Sequence, residues 1–302
     1  MGEVRSIYGR SNPIKSIGFN RNLVAIFKQL FNFLTVSSIF IGITGFFQTF
    51  GGYILLGMTP SIPICISVFL MTFSVYSLNK LTDIEEDAIN MPERISFLAG
   101  RTKLILYYSL AAYVLSAIIA FLEKPLVLPL IFIPLASNAI YSSRLIPGLP
   151  RLKDIPFMKN LTVAISWALV CTLLPAVHMN IASKGLIVII ILFMITKDVI
   201  TTALYDIRDV VGDRENGVRT IPVIFGPKKT ILLLLLLNST MLPLLVFVEG
   251  EVRFLMATLI LYGYVCIVYF RERRNPLVLD FFVDGEWMLA CAFLYINILL
   301  YI

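Results

Sequence analysis

The chain has few charged side chains and a single histidine. Only 15% of its 302 residues are Asp, Glu, Lys or Arg, against about 25% in an average soluble domain. One histidine, His178, excludes a metal site built from several histidines and a haem held by two. The four cysteines form no Cys-x-x-Cys pair and lie in apolar stretches, so we interpret them as small buried residues. We expect no cleaved signal peptide, because the first 22 residues are polar and basic and the first apolar run is too long.

Apolar residues make up 58% of the chain, and they are arranged in long blocks. A membrane-spanning helix needs roughly 20 apolar residues, and backbone in lipid must satisfy its own hydrogen bonds, as a helix does. The sequence therefore predicts an all-α polytopic membrane protein, with residues 1–302 forming a single transmembrane domain. Nine candidate spans cover residues 23–47, 54–78, 103–122, 126–143, 158–179, 184–205, 227–248, 252–270 and 284–302.

Basic residues are concentrated in alternate connections. Of the 25 Lys and Arg residues, 20 lie in segments 1–22, 79–103, 144–159, 206–229 and 271–285. The other connections hold only Lys124, Lys184 and Arg253. By the positive-inside rule, the N-terminal segment 1–22 and the basic connections are cytoplasmic, and the C-terminus lies outside the cell membrane. The net charge of +6 is explained by this orientation, and no nucleic-acid partner is expected.

Two of the predicted cytoplasmic segments are rich in aspartate, residues 78–90 after span two and residues 204–216 after span six. When the two segments are aligned, three pairs coincide: Asp83 with Asp209, Asp87 with Asp213, and Asn90 with Asn216. Because the segments follow spans that are four apart, we interpret them as the mark of a duplicated four-helix unit with a ninth helix added.

The spacing of the acidic residues suits one helix face in each segment. The two predicted metal-ligand trios are Asn79, Asp83 and Asp87, and Asp206, Asp209 and Asp213. Like charges at this spacing repel, and carboxylates combined with substrate phosphates are the surroundings that Mg²⁺ prefers. The trios therefore predict a metal–diphosphate site. The predicted catalytic residues are Asp83, Asp87, Asp209 and Asp213. The alternative is two solvated acidic loops, balanced by Lys80, Arg208 and Arg214.

Basic and intramembrane polar residues complete the predicted site. A leaving diphosphate needs positive charge, and seven basic residues share the predicted face: Arg94, Arg144, Arg151, Lys153, Lys159, Arg214 and Arg219. The positive-inside rule alone would also explain why these basic residues lie on the cytoplasmic side. Asp198 lies inside span six, about two turns before Asp206, and extends the acidic stripe into the membrane. An ionisable residue at such depth is paired or functional.

At these residues the sequence resembles the UbiA superfamily of intramembrane prenyltransferases. The first family motif, Asn-Asp-x-x-Asp-x-x-x-Asp, is matched from Asn79 to Asp87, followed by Asn-x-Pro-Glu-Arg ending at Arg94. The second, Asp-x-x-Asp-x-x-Gly-Asp, is matched from Asp206 to Asp213. Lys80 departs from the first motif, because it replaces an aspartate and cannot bind Mg²⁺.

The resemblance implies transfer of a polyprenyl group from a prenyl diphosphate, of geranylgeranyl length or similar, through an allylic-cation-like state. It implies two or more Mg²⁺ ions, which Mn²⁺ can replace, and an aromatic or glycerol-phosphate acceptor, in lipid or quinone synthesis. The residues implied to bind the diphosphate are Arg94, Lys153, Lys159, Arg219 and Tyr141. Lys28 and Asn32, four apart in the first span, could meet the acceptor or the diphosphate, or they could form a polar helix end.

Two other classes were weighed against this interpretation. A cation-coupled transporter with Asp-lined ion sites would place those sites near the bilayer midplane, at broken helices. The aspartates here fall at the cytoplasmic edge, although Pro60 and Pro63 could break span two. A CDP-alcohol phosphotransferase also uses Asp clusters, but its Asp-Gly…Ala-Arg…Gly…Asp…Asp pattern is not found.

Overall fold

The computed structural model describes residues 21–142, 152, 155–181, 183–272 and 275–301. Within these residues the structure consists of helices, short 3-10 turns and loops, without strands. The α-helices are α1 Arg21–Val36, α2 Ile39–Leu55, α3 Ile62–Thr82, α4 Ile84–Asn90, α5 Pro92–Leu98, α6 Thr102–Glu123, α7 Leu128–Ser142, α8 Met158–His178, α9 Lys184–Glu215, α10 Ile221–Phe225, α11 Pro227–Ser239, α12 Gly250–Tyr269, α13 Pro276–Asp284 and α14 Glu286–Tyr301.

Six of the described helical segments are long and apolar enough to cross a membrane: α3, α6, α8, α9, α12, and α11 extended to Phe247. The pair α1 and α2 makes a seventh if it is one span bent by 72°. The predicted all-α polytopic class is confirmed. The predicted spans 126–143 and 284–302 hold shorter apolar helices, so a total of nine crossings stays a prediction, as does the four-helix duplication.

The first two predicted spans have the wrong boundaries. Helix α2 continues through Gly51 and Gly52 to Leu55, and α3 does not begin until Ile62. Ser61 fixes that start, because its hydroxyl accepts a hydrogen bond from the Ile64 amide. The connection between these helices is therefore residues 56–61, which fall inside the predicted span 54–78 rather than before it.

The break between α1 and α2 is stabilised by a lysine from α3. Ser38 has a left-handed backbone conformation, with φ of 69°. The Lys80 ammonium donates hydrogen bonds to the Val36 carbonyl and, at 2.6 Å, to the Ser38 hydroxyl. A cation at the C-terminal end of a helix is favoured by the unpaired carbonyl groups there. Lys80 therefore holds the end of α1 in place.

Glycines let α2 approach its neighbours closely. A Cβ built on Gly45 would lie 2.2 Å from the Thr72 hydroxyl of α3, and one built on Gly52 would lie 2.1 Å from the Cys171 carbonyl oxygen of α8. Close approach through small residues is a common way to pack helices in membranes. Helix α2 thereby sits between α3 and α8 and forms one wall of the interior.

The two acidic segments adopt different local structures. Helix α3 ends at Thr82, and Asp83 is the junction with the short helix α4. In the second segment α9 continues unbroken for 32 residues, to Glu215. Helix α4 packs against α9, so the two acidic segments are neighbours at one end of the helical bundle.

Candidate functional site

A cavity of about 280 Å³ opens between α2, α3, α7, α8, α9 and α13. Part of its wall is apolar, where the rings of Tyr76 and Trp167 are stacked with centroids 5.9 Å apart. The mouth is polar, and its lining includes Asn79, Arg94, Lys159, Asp206, Arg208 and Asp209. The cavity is therefore a largely apolar chamber below a charged mouth, which suits an amphipathic substrate.

Lys159 joins two aspartates of the second acidic segment. Its ammonium lies 2.9 Å from Asp206 Oδ1 and 3.1 Å from Asp213 Oδ1. The Asn160 amide donates a further hydrogen bond of 2.6 Å to Asp206 Oδ2. Both carboxylates are buried, at 1% and 3% exposure. The first turn of α8 is therefore the partner of the aspartates on α9.

Arg208 joins the second segment to α13. Its guanidinium donates two hydrogen bonds to Asp209, of 2.7 and 2.9 Å, and one of 3.0 Å to Asp280. The same group lies over the Tyr205 ring, 4.9 Å from its centroid. A planar guanidinium suits such bidentate and stacked contacts. Arg208 thus fixes Asp209 and holds α13 against the mouth.

The first segment has its own pair. Arg94, on α5, lies 3.0 Å from the buried Asp87 carboxylate. Asn79 lines the cavity, and its buried Oδ1 has no hydrogen-bond partner among the residues that the structure describes. Within the same residues, the buried Nε of Arg94 also has no partner. An unsatisfied acceptor and an unsatisfied donor at one mouth fit a cation and an anion respectively.

Burial raises the pKa of carboxyl groups on the short helices outside the spans. Burial raises the pKa of Asp87, and the Arg94 guanidinium opposes that shift. It also raises the pKa of Asp280, against Arg208. For Asp284, burial together with the neighbouring Asp280 raises the pKa to about 7. The mouth therefore stabilises the ionised carboxylates incompletely with its own cations.

The donor set at the mouth fits a divalent cation. Three cationic side chains, Arg94, Lys159 and Arg208, pair with five carboxylates, those of Asp87, Asp206, Asp209, Asp213 and Asp280. Among the described residues, these ion pairs therefore join two more carboxylates than cations. Among the described residues no three carboxylates meet at one metal-sized point. Mg²⁺ is often held by one or two carboxylates together with substrate phosphates, so it does not require such a group.

Comparison with known proteins decides the family. A model of the UbiA prenyltransferase family matches residues 31–283. The chain belongs to this family. Digeranylgeranylglyceryl phosphate synthases from Methanosphaera stadtmanae and Methanococcoides burtonii are 31% and 30% identical to it. These matches cover 57% and 59% of this chain and 60% of each relative, so the chain spans less than two thirds of the relatives' length.

Solved structures agree with a UbiA fold. A UbiA homolog from Archaeoglobus fulgidus, bound to GPP and Mg²⁺, has a TM-score of 0.66 and 17% identity, covering 87% of this chain and 98% of that chain. The apo structure of a UbiA homolog from Aeropyrum pernix K1 has a TM-score of 0.61 and 17% identity, covering 83% and 98%. At this level of identity, the likeness shows the fold alone.

The UbiA fold brings some of the predicted site residues together. Asn79, Arg94, Lys159, Asp198, Asp206 and Asp209 line the cavity. Asp87 and Asp213 do not line it but are ion-paired with residues that do. Asp83 lies at the junction of α3 and α4, outside the lining. These aspartates remain predicted metal ligands.

Other predicted residues lie away from the cavity or outside the description. Lys28 is exposed on α1 and Asn32 is half-buried there, and neither lines the cavity. The exposed Arg219 contributes a backbone carbonyl that accepts a hydrogen bond from the Phe157 amide at 3.4 Å. Lys153, Arg144, Arg151 and the side chain of Tyr141 lie outside the described residues.

The sequence interpretation missed several residues of the mouth and cavity. Asp280 and Asp284 lie four apart on α13, where the other residues from Pro276 to Val283 are apolar. That spacing places them on one helix face and was a usable signal. Gln48 also lines the cavity, but a single glutamine in an apolar span gave no such signal.

Proposed function

We propose that this protein is a Mg²⁺-dependent prenyltransferase that moves a geranylgeranyl group from its diphosphate to a hydroxyl of geranylgeranylglyceryl phosphate. The curated relatives are named for the product, digeranylgeranylglyceryl phosphate. The observation that carries the proposal is a set of ion pairs that, among the described residues, joins two more carboxylates than cations and lies over a largely apolar cavity.

The contacts at the mouth support a separate role for each group of residues. Mg²⁺ ions would be held by the two predicted trios, with one or two carboxylates on each ion, and they would supply positive charge to the diphosphate. The trios are Asn79, Asp83 and Asp87, and Asp206, Asp209 and Asp213. Lys159 and Arg94 then stabilise the charge that grows on the leaving group. The C–O bond to the diphosphate breaks and a new C–O bond to the acceptor forms. The apolar cavity excludes water, which would otherwise capture the allylic cation.

The same proposal includes the finer expectations from the sequence. Two or more metal ions, replacement by Mn²⁺, and a cytoplasmic mouth with an external C-terminus all belong to it. An aromatic acceptor is the alternative within the family, and product analysis tests it directly. Family membership favours the transferase over the cation-coupled transporter, which we do not propose further.

The deciding experiment offers purified protein geranylgeranyl diphosphate together with geranylgeranylglyceryl phosphate or aromatic acids, with and without Mg²⁺. We expect mass spectrometry to detect the doubly prenylated glyceryl phosphate only with Mg²⁺. Asp209→Ala and Asp213→Asn should each lower turnover at least about 100-fold, because each removes stabilisation of the developing charge. The exposed Glu215→Gln, on the same helix end, should leave turnover unchanged.

Three outcomes would contradict the proposal. Prenylation of an aromatic acid alone would replace the acceptor class. Product formation in the absence of divalent cations would remove the metal. Full activity in both aspartate variants would contradict the proposed metal site.

A further inference from the structure

An ionisable side chain lies deep in the same cavity, away from the ion pairs of the mouth. Asp198 is eight residues before Asp206 on α9, which places it about 12 Å deeper along the helix axis. It lines the cavity and is only 9% exposed. Because a carboxyl group at membrane depth is costly, it is expected to be paired or functional.

The contacts of Asp198 leave its charge without a cationic partner among the described residues. Gln48, on α2, donates from Nε2 to both carboxylate oxygens, at 2.9 and 3.0 Å. The adjacent Lys197 is turned away from it. The Lys197 ammonium donates to the Leu259 carbonyl at 3.0 Å and pairs with Glu286. Asp198 is thus held in place by an amide rather than neutralised by a salt bridge.

The surroundings of this pair contain few other ionisable groups. Lys197 and Glu286 are charged groups that interact with Asp198 electrostatically. Tyr76 from α3 and Cys171 from α8 are the other titratable side chains that interact with it electrostatically. None of these four is hydrogen-bonded to Asp198 in the structure. Among the described residues, Gln48 is therefore the side chain that donates hydrogen bonds to Asp198.

The proposed reaction produces a proton that needs an acceptor. When the acceptor hydroxyl attacks the allylic carbon, the new C–O bond forms, the diphosphate leaves with the electrons of the old one, and the hydroxyl proton must be taken up. A dry cavity holds no bulk water for this purpose. We propose that Asp198, positioned by Gln48, takes the proton of the acceptor hydroxyl. This inference rests on the proposed transfer to a hydroxyl.

The position fits that role. With the diphosphate at the level of Asp206, the reacting carbon and the acceptor hydroxyl lie between it and the inner end of the cavity. A general base must come within hydrogen-bond reach of the proton it removes, and such groups contribute roughly 10²–10⁴-fold to rate. Asp198 would be a catalytic residue, and Gln48 a positioning residue that stabilises the ionised form.

The test compares full-length wild-type protein with Asp198→Asn and Gln48→Leu. Three quantities are measured: Mg²⁺-dependent binding of geranylgeranyl diphosphate, kcat for transfer across pH, and slow hydrolysis of the diphosphate without acceptor. Asp198→Asn should lower kcat by about 100-fold or more while binding and hydrolysis persist. Gln48→Leu should move the rising limb of the kcat profile to higher pH, because the ionised carboxylate loses its donor.

Ser67→Ala is the matched control. It removes a buried hydroxyl that is 3.0 Å from the Ser116 hydroxyl and lies outside the cavity lining, and it should change none of the three quantities. Transfer by Asp198→Asn at the wild-type rate and pH profile would overturn the inference, as would an unshifted profile in Gln48→Leu. Wild-type protein that binds no prenyl diphosphate would instead overturn the proposed function, and this inference with it.

Discussion

Lys80 stands where the resembling family motif has an acidic residue, and its contacts explain why a positive charge is stable there. Its ammonium is surrounded by oxygen atoms at the break between α1 and α2: the Val36 carbonyl, the Ser38 hydroxyl and, at 3.5 Å, the Thr35 carbonyl. The stem borders the cavity, but the charge stabilises a helix end. The first acidic segment therefore offers one metal ligand fewer than the family motif.

Restoring the family residue should harm this protein. In Lys80→Asp, a carboxylate would face backbone carbonyls at the end of α1 and leave them unpaired, which costs about 1–3 kcal/mol. We expect a lower Tm and no gain in Mg²⁺ affinity, measured by thermal unfolding and by Mg²⁺ titration of prenyl diphosphate binding. Lys80→Met, which removes the charge but keeps the length, should lose less stability. Tighter Mg²⁺ binding in Lys80→Asp would mean that Lys80 faces the metal.

The sequence predicted site residues on both sides of the Arg94 and Lys159 ion pairs, but it did not predict the pairing itself. It identified Asp206 and Asp213 because they share a helix face, and it included Lys159 because the family has basic residues there. It could not predict that one lysine joins those two aspartates, since that depends on how α8 packs on α9. For Arg208 the sequence offered a role only within the alternative of solvated loops, because its partner Asp280 lies 72 residues away in the chain.

At the scale of elements, the hydropathy pattern predicted where the helices lie but not where they bend or end. The sequence predicted a continuous span over residues 23–47, whereas the structure has a 72° bend between α1 and α2. No proline or glycine marks that bend, and it depends on the distant Lys80. Similarly, Gly51 and Gly52 resembled a connection, but in α2 they serve close packing against neighbouring helices. Tertiary contacts decide both features.

Adding one methyl group to Gly52, where α2 packs against α8, should destabilise the protein. A Cβ at position 52 would meet the Cys171 backbone carbonyl, which cannot move aside as a side chain can. Gly52→Ala should therefore destabilise the protein by about 1–3 kcal/mol, seen as a lower Tm in detergent. Gly185→Ala, also helical but with open space around it, is the control and should match or exceed wild-type stability. Equal Tm values for the two variants would contradict the close approach.

At the scale of the whole molecule, orientation in the membrane determines which compartment supplies the substrates. The structure places both acidic segments at one end of the bundle, through the packing of α4 against α9. The distribution of Lys and Arg predicts that this end is cytoplasmic. A single domain over residues 1–302 is likewise a prediction, and the family match covers residues 31–283 of it.

Cysteine labelling can test the orientation with little background, because all four native cysteines are buried. Lys228 and Lys184 are both exposed near helix starts, and the basic-residue distribution predicts opposite sides for them. In intact cells a membrane-impermeant maleimide should label Lys184→Cys and not Lys228→Cys. After the membrane is permeabilised, both should react, which controls for accessibility. Labelling of Lys228→Cys in intact cells would invert the topology and place the diphosphate site outside, where a cytoplasmic prenyl diphosphate could not reach it.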